Sequence, residues 1–219
     1  MVRPLRVTAL TLAVATLCFS GGARALARTG LSQALTVQTP AIPDPEAVSL
    51  DASTTAFLAL DFLQFNCTPR PACIASLPAV AAGLAAARAA NVFVAYSDTP
   101  GTQVILDPVA PNPGDAKVTS SADKFFGTDL DSILKQHGIT TVVVTGTSSN
   151  GAVLYTSFSA AERGYTVVVA EDGISADTDF ATQFTEWQLL NGPGTTNLQN
   201  TPLQPKAVTL SRTDLITYK

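Results

Sequence analysis

Histidine is nearly absent: His137 is the only one in 219 residues. A serine–histidine–aspartate system needs an imidazole at the reacting centre. This one ends a helical stretch, far in sequence from any strand end. A zinc site built on several histidines has no material either. Cysteine is scarce as well. Cys18 lies in an N-terminal apolar segment, which leaves Cys67 and Cys73, separated by Thr-Pro-Arg-Pro-Ala. That spacing does not supply a metal-ligand set. Charged residues make up only 14% of the chain, with no block of one sign and no basic patch. This argues against nucleic acid as a partner. The glycine spacings of the phosphate-binding fingerprints do not occur, which argues against a nucleotide. No cofactor and no metal are expected.

The N-terminus has the form of a secretory leader, residues 1–27. Arg3 and Arg6 precede an apolar run from Val7 to Phe19, and small-residue sites follow at Ala23-Arg-Ala25 and Ala25-Leu-Ala27. The run is too short to span a bilayer comfortably, so no stable membrane insertion is expected once the leader is removed. A secreted or periplasmic chain follows. Arg3, Arg6 and Arg24 leave with the leader, and the remainder is net acidic. In an oxidising compartment a local Cys67–Cys73 disulfide is the natural pairing. The functional alternative is a thiol nucleophile, which needs a basic partner beside it. Residues 28–53 carry Pro40, Pro43 and Pro45 and read as an N-terminal arm.

From residue 54 to 219 apolar runs alternate with helical periodicity. Ala56–Asp61, Asn91–Asp98, Thr140–Thr145, Tyr165–Ala170 and Lys206–Leu210 read as strands, and an extended tail follows the last. The first and third have no polar alternation, which suits strands covered on both faces. Helical stretches are expected at 74–90, 130–137, 151–163 and 180–190, with Gly138 as a stop. Strand–helix alternation gives parallel βαβ units and a three-layer α/β/α sandwich with a mostly parallel sheet. Sites in such sheets lie outside the carboxyl ends of the strands. Asp61, Asp98, Gly146–Ala152, and Glu171 with Asp172 all fall there. Asp61 suits proton transfer, because partial desolvation raises a carboxyl pKa; it could equally cap a turn. Lys124, set against Phe125-Phe126, or Lys117, could keep it ionised; either could also be a solvated loop lysine. Ser149 or Asn150 could be a plain N-cap, and the amides there could also hold an anion. Asp172 is expected to fix its loop by hydrogen bonds rather than act on substrate.

Three stretches carry a family resemblance: Phe57-Leu-Ala-Leu-Asp61, Phe125-Phe-Gly-Thr-Asp-Leu-Asp131, and Val144-Thr-Gly-Thr-Ser-Ser-Asn-Gly-Ala-Val153. With these the chain resembles the isochorismatase-like hydrolase superfamily, which includes the cysteine hydrolases, from about Thr54 to Asp214. The resemblance implies an Asp, a Lys and a Cys in the amidohydrolase members. The Asp falls on Asp61. The Cys falls on Ala152, so a thioester cannot form. The Lys, counted without a gap, falls on Thr119; Lys117 and Lys124 are the candidates. The family Gln two residues after the Asp is replaced by Leu63, with Gln64 following. The metal-binding histidines of nicotinamidases have no counterpart. The resemblance also implies a cis peptide at Thr147–Ser148. It places Ser148, Ser149, Asn150, Gly151 and Phe125 on the substrate side. Isochorismatases likewise lack the Cys and cleave a vinyl ether by acid chemistry with the Asp. Export is an odd location for isochorismate, a cytosolic metabolite. The expected function is Cys-independent hydrolysis of a small-molecule substrate, the alternative a binding protein that keeps the pocket without turnover. A homo-oligomer is compatible with the sequence.

Overall fold

A computed structural model describes residues 40–101 and 103–219. The expected leader and residues 28–39 of the arm lie outside them. Six strands form one sheet: β2 (Thr55–Leu60), β3 (Phe93–Asp98), β4 (Ala116–Thr119), β5 (Thr141–Thr147), β6 (Thr166–Ser175) and β7 (Val208–Ser211). Their spatial order is β4-β3-β2-β5-β6-β7, and every pair is parallel. A short β1 (Val48–Leu50) pairs in parallel with β8 (Ile216–Tyr218) and joins the two ends of the described chain. The sequence places Val48–Leu50 in an arm and residues 216–218 in a tail. Each strand is only three residues long, too short for periodicity to reveal.

The central strands show why the sheet is covered on both faces. Along β2, Ala56, Leu58 and Leu60 pack into one apolar cluster, while Phe57 and Ala59 pack into another. β5 and β6 alternate in the same way: Val142, Val144, Val167 and Val169 face one side, Val143 and Val168 the other. Successive strand residues point to opposite faces, so an uninterrupted apolar run needs a layer on each. One layer is α2 (Pro71–Ala89), through Leu77, Val80, Leu84 and Ala87, with β1 and β8. The other is α3 (Leu130–Gln136), α4 (Leu154–Glu162) and α5 (Asp179–Asn191), through Leu130, Leu134, Ala160, Leu189 and Leu190. A four-residue α1 (Gln64–Cys67) leads into α2. α2 is long and apolar enough to cross a membrane by length and composition, yet its Leu77–Ala87 stripe packs against the sheet.

The chain runs β2-β3-β4 toward one edge, then returns to start β5-β6-β7 toward the other. The order therefore reverses between β2 and β5, and their carboxyl ends flank the crevice where open parallel sheets bind ligands. The two strands come very close there. A Cβ on Gly146 would lie 2.7 Å from both Cβ and the carbonyl oxygen of Leu60, so no larger residue fits.

Candidate active site

β2 ends at Leu60, and the next residue turns sharply: Asp61 has φ of 54°. A left-handed backbone is uncommon outside glycine, and short polar residues such as Asp tolerate it best. Local bonds hold it. The Asp61 amide donates to the Ser97 carbonyl at 3.3 Å, and the Leu63 amide and Asn66 Nδ2 donate to the Asp61 carbonyl at 2.7 and 3.2 Å. Both carboxylate oxygens are engaged. Ser97 Oγ donates to Oδ1 at 2.7 Å, and Lys124 Nζ sits 2.7 Å from Oδ2. Ser97 reaches Asp61 because β2 and β3 pair with Leu60 opposite Ser97.

Lys124 is fully buried. Its remaining ammonium hydrogens go to the carbonyls of Ser120 and Ser121, at 3.0 and 2.6 Å. Its amide is held by Thr156 Oγ1 of α4 at 3.1 Å. The ammonium thus serves three acceptors at once and ties the β4–α3 loop to Asp61. Burial pushes the Asp61 carboxyl above its ordinary range, although Lys124 and the Ser97 hydroxyl pull it back.

Above the pair lies a cleft of about 310 Å³. Its walls are Asp61, Asn66 and Arg70 on one side, Thr99 and Pro100 after β3, Ser121 and Ala122 of the Lys124 loop, and Thr147, Ser148, Gly151 and Ala152 after β5. The Thr147–Ser148 peptide is cis, as the resemblance implies. A π-helical turn, Ser149–Val153, then leads into α4. Gly151 carries its own steric reason: a Cβ there would meet Ser148 Oγ at 2.7 Å.

The sequence-derived residues divide. Asp61 and Lys124 are paired, and Ser148, Gly151 and Ala152 share the cleft with Asp61. The other four stand elsewhere. Lys117 on β4 is half-exposed and pairs with Asp98 at 2.8 Å, where Thr119 Oγ1 also donates. Parallel pairing in register puts β4 beside the end of β3, not beside Asp61. Phe125 turns into the core, 6.0 Å from the Tyr165 ring, with the Arg163 guanidinium over its face. Ser149 is buried against α5 and donates to Thr182 Oγ1 at 3.3 Å. Asn150 is exposed and lines a separate groove with Tyr155, Phe158 and Phe184.

Asp172 accepts from the Thr213 amide and hydroxyl at 2.8 and 2.7 Å, which fixes its loop. His137 caps α3 and stacks on Phe93, with ring centroids 4.1 Å apart. Cys67 and Cys73 form a disulfide, their Cα atoms 5.1 Å apart. Arg70 was not singled out from the sequence. The signal was its place inside the Cys67–Cys73 loop, three residues after the end of α1.

The fold has known counterparts. Residues 55–199 match the isochorismatase domain. The chain belongs to the isochorismatase family. It is 46% identical over 52 residues to the uncharacterized isochorismatase family protein YecD of Escherichia coli O157:H7, covering 24% of this chain and 28% of that protein. It is 33% identical over 113 residues to the secreted isochorismatase effector Isc1 of Verticillium dahliae, covering 46% of this chain and 60% of the relative. Both matches span less than two thirds of those relatives. An isochorismatase family protein of Desulfovibrio vulgaris has the same fold, with a TM-score of 0.63 at 19% identity, over 74% of this chain and 95% of that one. In this family member, Ala152 lines the cleft at whose floor Asp61 pairs with the buried Lys124.

Proposed function

We propose that this protein is an exported isochorismatase-type hydrolase that works by acid chemistry at Asp61, without a thiol. One observation carries the reading: a buried Asp61–Lys124 pair lies under a cleft whose walls include Ala152. An ammonium held at 2.7 Å fixes the carboxyl's position, and burial keeps its pKa raised, which favours the protonated acid. In this scheme the Asp61 carboxylic acid gives its proton to the terminal methylene carbon of an enol ether. Positive charge develops on the ether-bearing carbon, and water adds there while returning a proton to Asp61. The hemiketal then breaks its C–O bond to release a ketone and an alcohol. The net change is addition of one water. Ser148, Gly151 and Ala152 of the 148–152 turn line the same cleft, and a free amide of that turn would suit a substrate oxygen.

The leader and the disulfide support export. A secreted relative described as an isochorismatase effector makes an extracellular location compatible with this chemistry, against the expectation that export is an odd place for it. The test is a substrate screen of the purified protein with isochorismate, other enol ethers and simple amides. Enol-ether turnover with amides untouched is expected. Binding of isochorismate without product would favour the other reading, a binding protein that keeps the pocket.

A further inference from the structure

Arg70 stands at the cleft wall with its side chain only 12% exposed. Its inner nitrogen is committed: Nη1 donates to Thr147 Oγ1 at 2.9 Å and to the Asn66 carbonyl at 3.2 Å. These two bonds orient the guanidinium plane. Its other edge, Nε and Nη2, converges on a single oxygen, Oδ1 of Asp177, at 2.8 Å from each. Asp177 sits in the bend between β6 and α5 and is 75% exposed. An exposed carboxylate that occupies a pre-oriented fork is weakly held, because water competes for it. The Nε/Nη2 edge is also the one that matches a carboxylate bidentately. Lys124 offers no such edge, since its three hydrogens are already taken.

The backbone shows how this guanidinium is placed. The Arg70 amide donates to the Cys67 carbonyl and the Cys73 amide donates to the Arg70 carbonyl, each at 2.9 Å. Arg70 is therefore bonded through its backbone to both residues of the disulfide.

We propose that Arg70 is the specificity-determining residue of this pocket. It receives a carboxylate of the substrate in place of Asp177 and is held in position by the Cys67–Cys73 bridge. This rests on the cleft being the substrate site, as in the proposed function, but not on turnover. The substrate class is a small carboxylate, and the uncharged amide analogue is excluded. Reducing the bridge frees the loop and lowers anion affinity with no change at Asp61.

The test is binding rather than catalysis, read by NMR titration of the whole oxidised protein with benzoate and, separately, benzamide. Benzoate should bind and benzamide should not. Arg70→Gln should weaken benzoate by at least about tenfold, the scale of losing a charge-assisted pair. Arg70→Lys, which keeps the charge but not the fork, should recover only part. Asp177→Asn, an exposed change with little risk to folding, should tighten benzoate by removing the competitor. Reduction with dithiothreitol should weaken it in the wild type. Equal affinity in wild type and Arg70→Gln, or equal binding of benzoate and benzamide, would overturn the proposal, as would unchanged affinity in Asp177→Asn. Arg70-dependent benzoate binding in a protein with no hydrolytic activity would sink the proposed function and leave this inference standing.

Discussion

Lys124 Nζ lies 2.7 Å from the Asp61 carboxylate, and both side chains are buried. Removing one partner strands the other charge away from water. Lys124→Met leaves a buried carboxylate with only the Ser97 hydroxyl as partner, and takes their ammonium donor from the carbonyls of Ser120 and Ser121. It should cost about 3–5 kcal/mol in urea unfolding. Asp61→Asn should cost less, because Lys124 keeps both carbonyl acceptors and the amide still offers an oxygen. Equal losses would mean that the ammonium does not organise the loop.

Activity should depend on pH with a defined sign. The Asp61 carboxyl is raised by burial and lowered by Lys124 and Ser97. A general acid works when protonated, so kcat/KM should fall as pH rises through that raised pKa. Replacing Lys124 by Met removes the ammonium that favours the ionised form. The falling limb should then move to higher pH in any Lys124→Met protein that stays folded. A limb that moves down, or does not move, contradicts the pairing.

The family resemblance implies a nucleophilic cysteine at position 152, and Ala152 lines the cleft with Asp61. Ala152→Cys should place a thiol near the Lys124 ammonium, which favours the thiolate. It should react with iodoacetamide faster than a thiol of ordinary pKa, about 8.5. A gain of weak amidase activity should disappear when Asp61→Asn is added. Ordinary thiol reactivity in a folded protein would mean that the pair does not act on position 152.

Two carboxyls away from the cleft set a second pH dependence. Burial, with Glu186 nearby, pushes Glu171 up to about 7, and burial alone pushes Glu186 up to about 7. A folded pKa above the unfolded 4.5 means that the native state holds protons the unfolded state has lost. Their contribution to stability is therefore complete below about pH 4.5 and lost as pH rises to about 7. Glu186→Gln should flatten the decline in melting temperature across that range. A decline as steep as in the wild type would remove Glu186 from the account.

Much of this architecture was legible because the central strands are apolar on both faces. Phe57–Leu60 and Val142–Val144 suit strands covered on both faces, and their carboxyl ends place Asp61 and the 146–152 turn together. β4 was missed because Ala116–Thr119 is a four-residue edge with polar residues on its open side. The choice between Lys117 and Lys124 was open in the sequence. It turns on strand register, which sets Lys117 opposite Tyr96 and gives it to Asp98. Ser97 was hidden for the same reason: only the β2–β3 register sets it beside Asp61. Arg70 was hidden because its partners, Thr147 and Asp177, are 77 and 107 residues away. Phe125 misled because its motif is a packing motif: the ring fills the core beside Tyr165 and Arg163.

The most direct measurement is kcat/KM for isochorismate hydrolysis by wild type and Asp61→Asn, both pretreated with iodoacetamide and matched for folding by circular dichroism. The wild type should keep its activity, since Cys67 and Cys73 are bonded to each other and position 152 has no sulfur. Asp61→Asn should lose about 10²–10⁴-fold, the range of a general acid. A wild type silenced by iodoacetamide, or an Asp61→Asn protein as active as wild type, would contradict acid catalysis at Asp61.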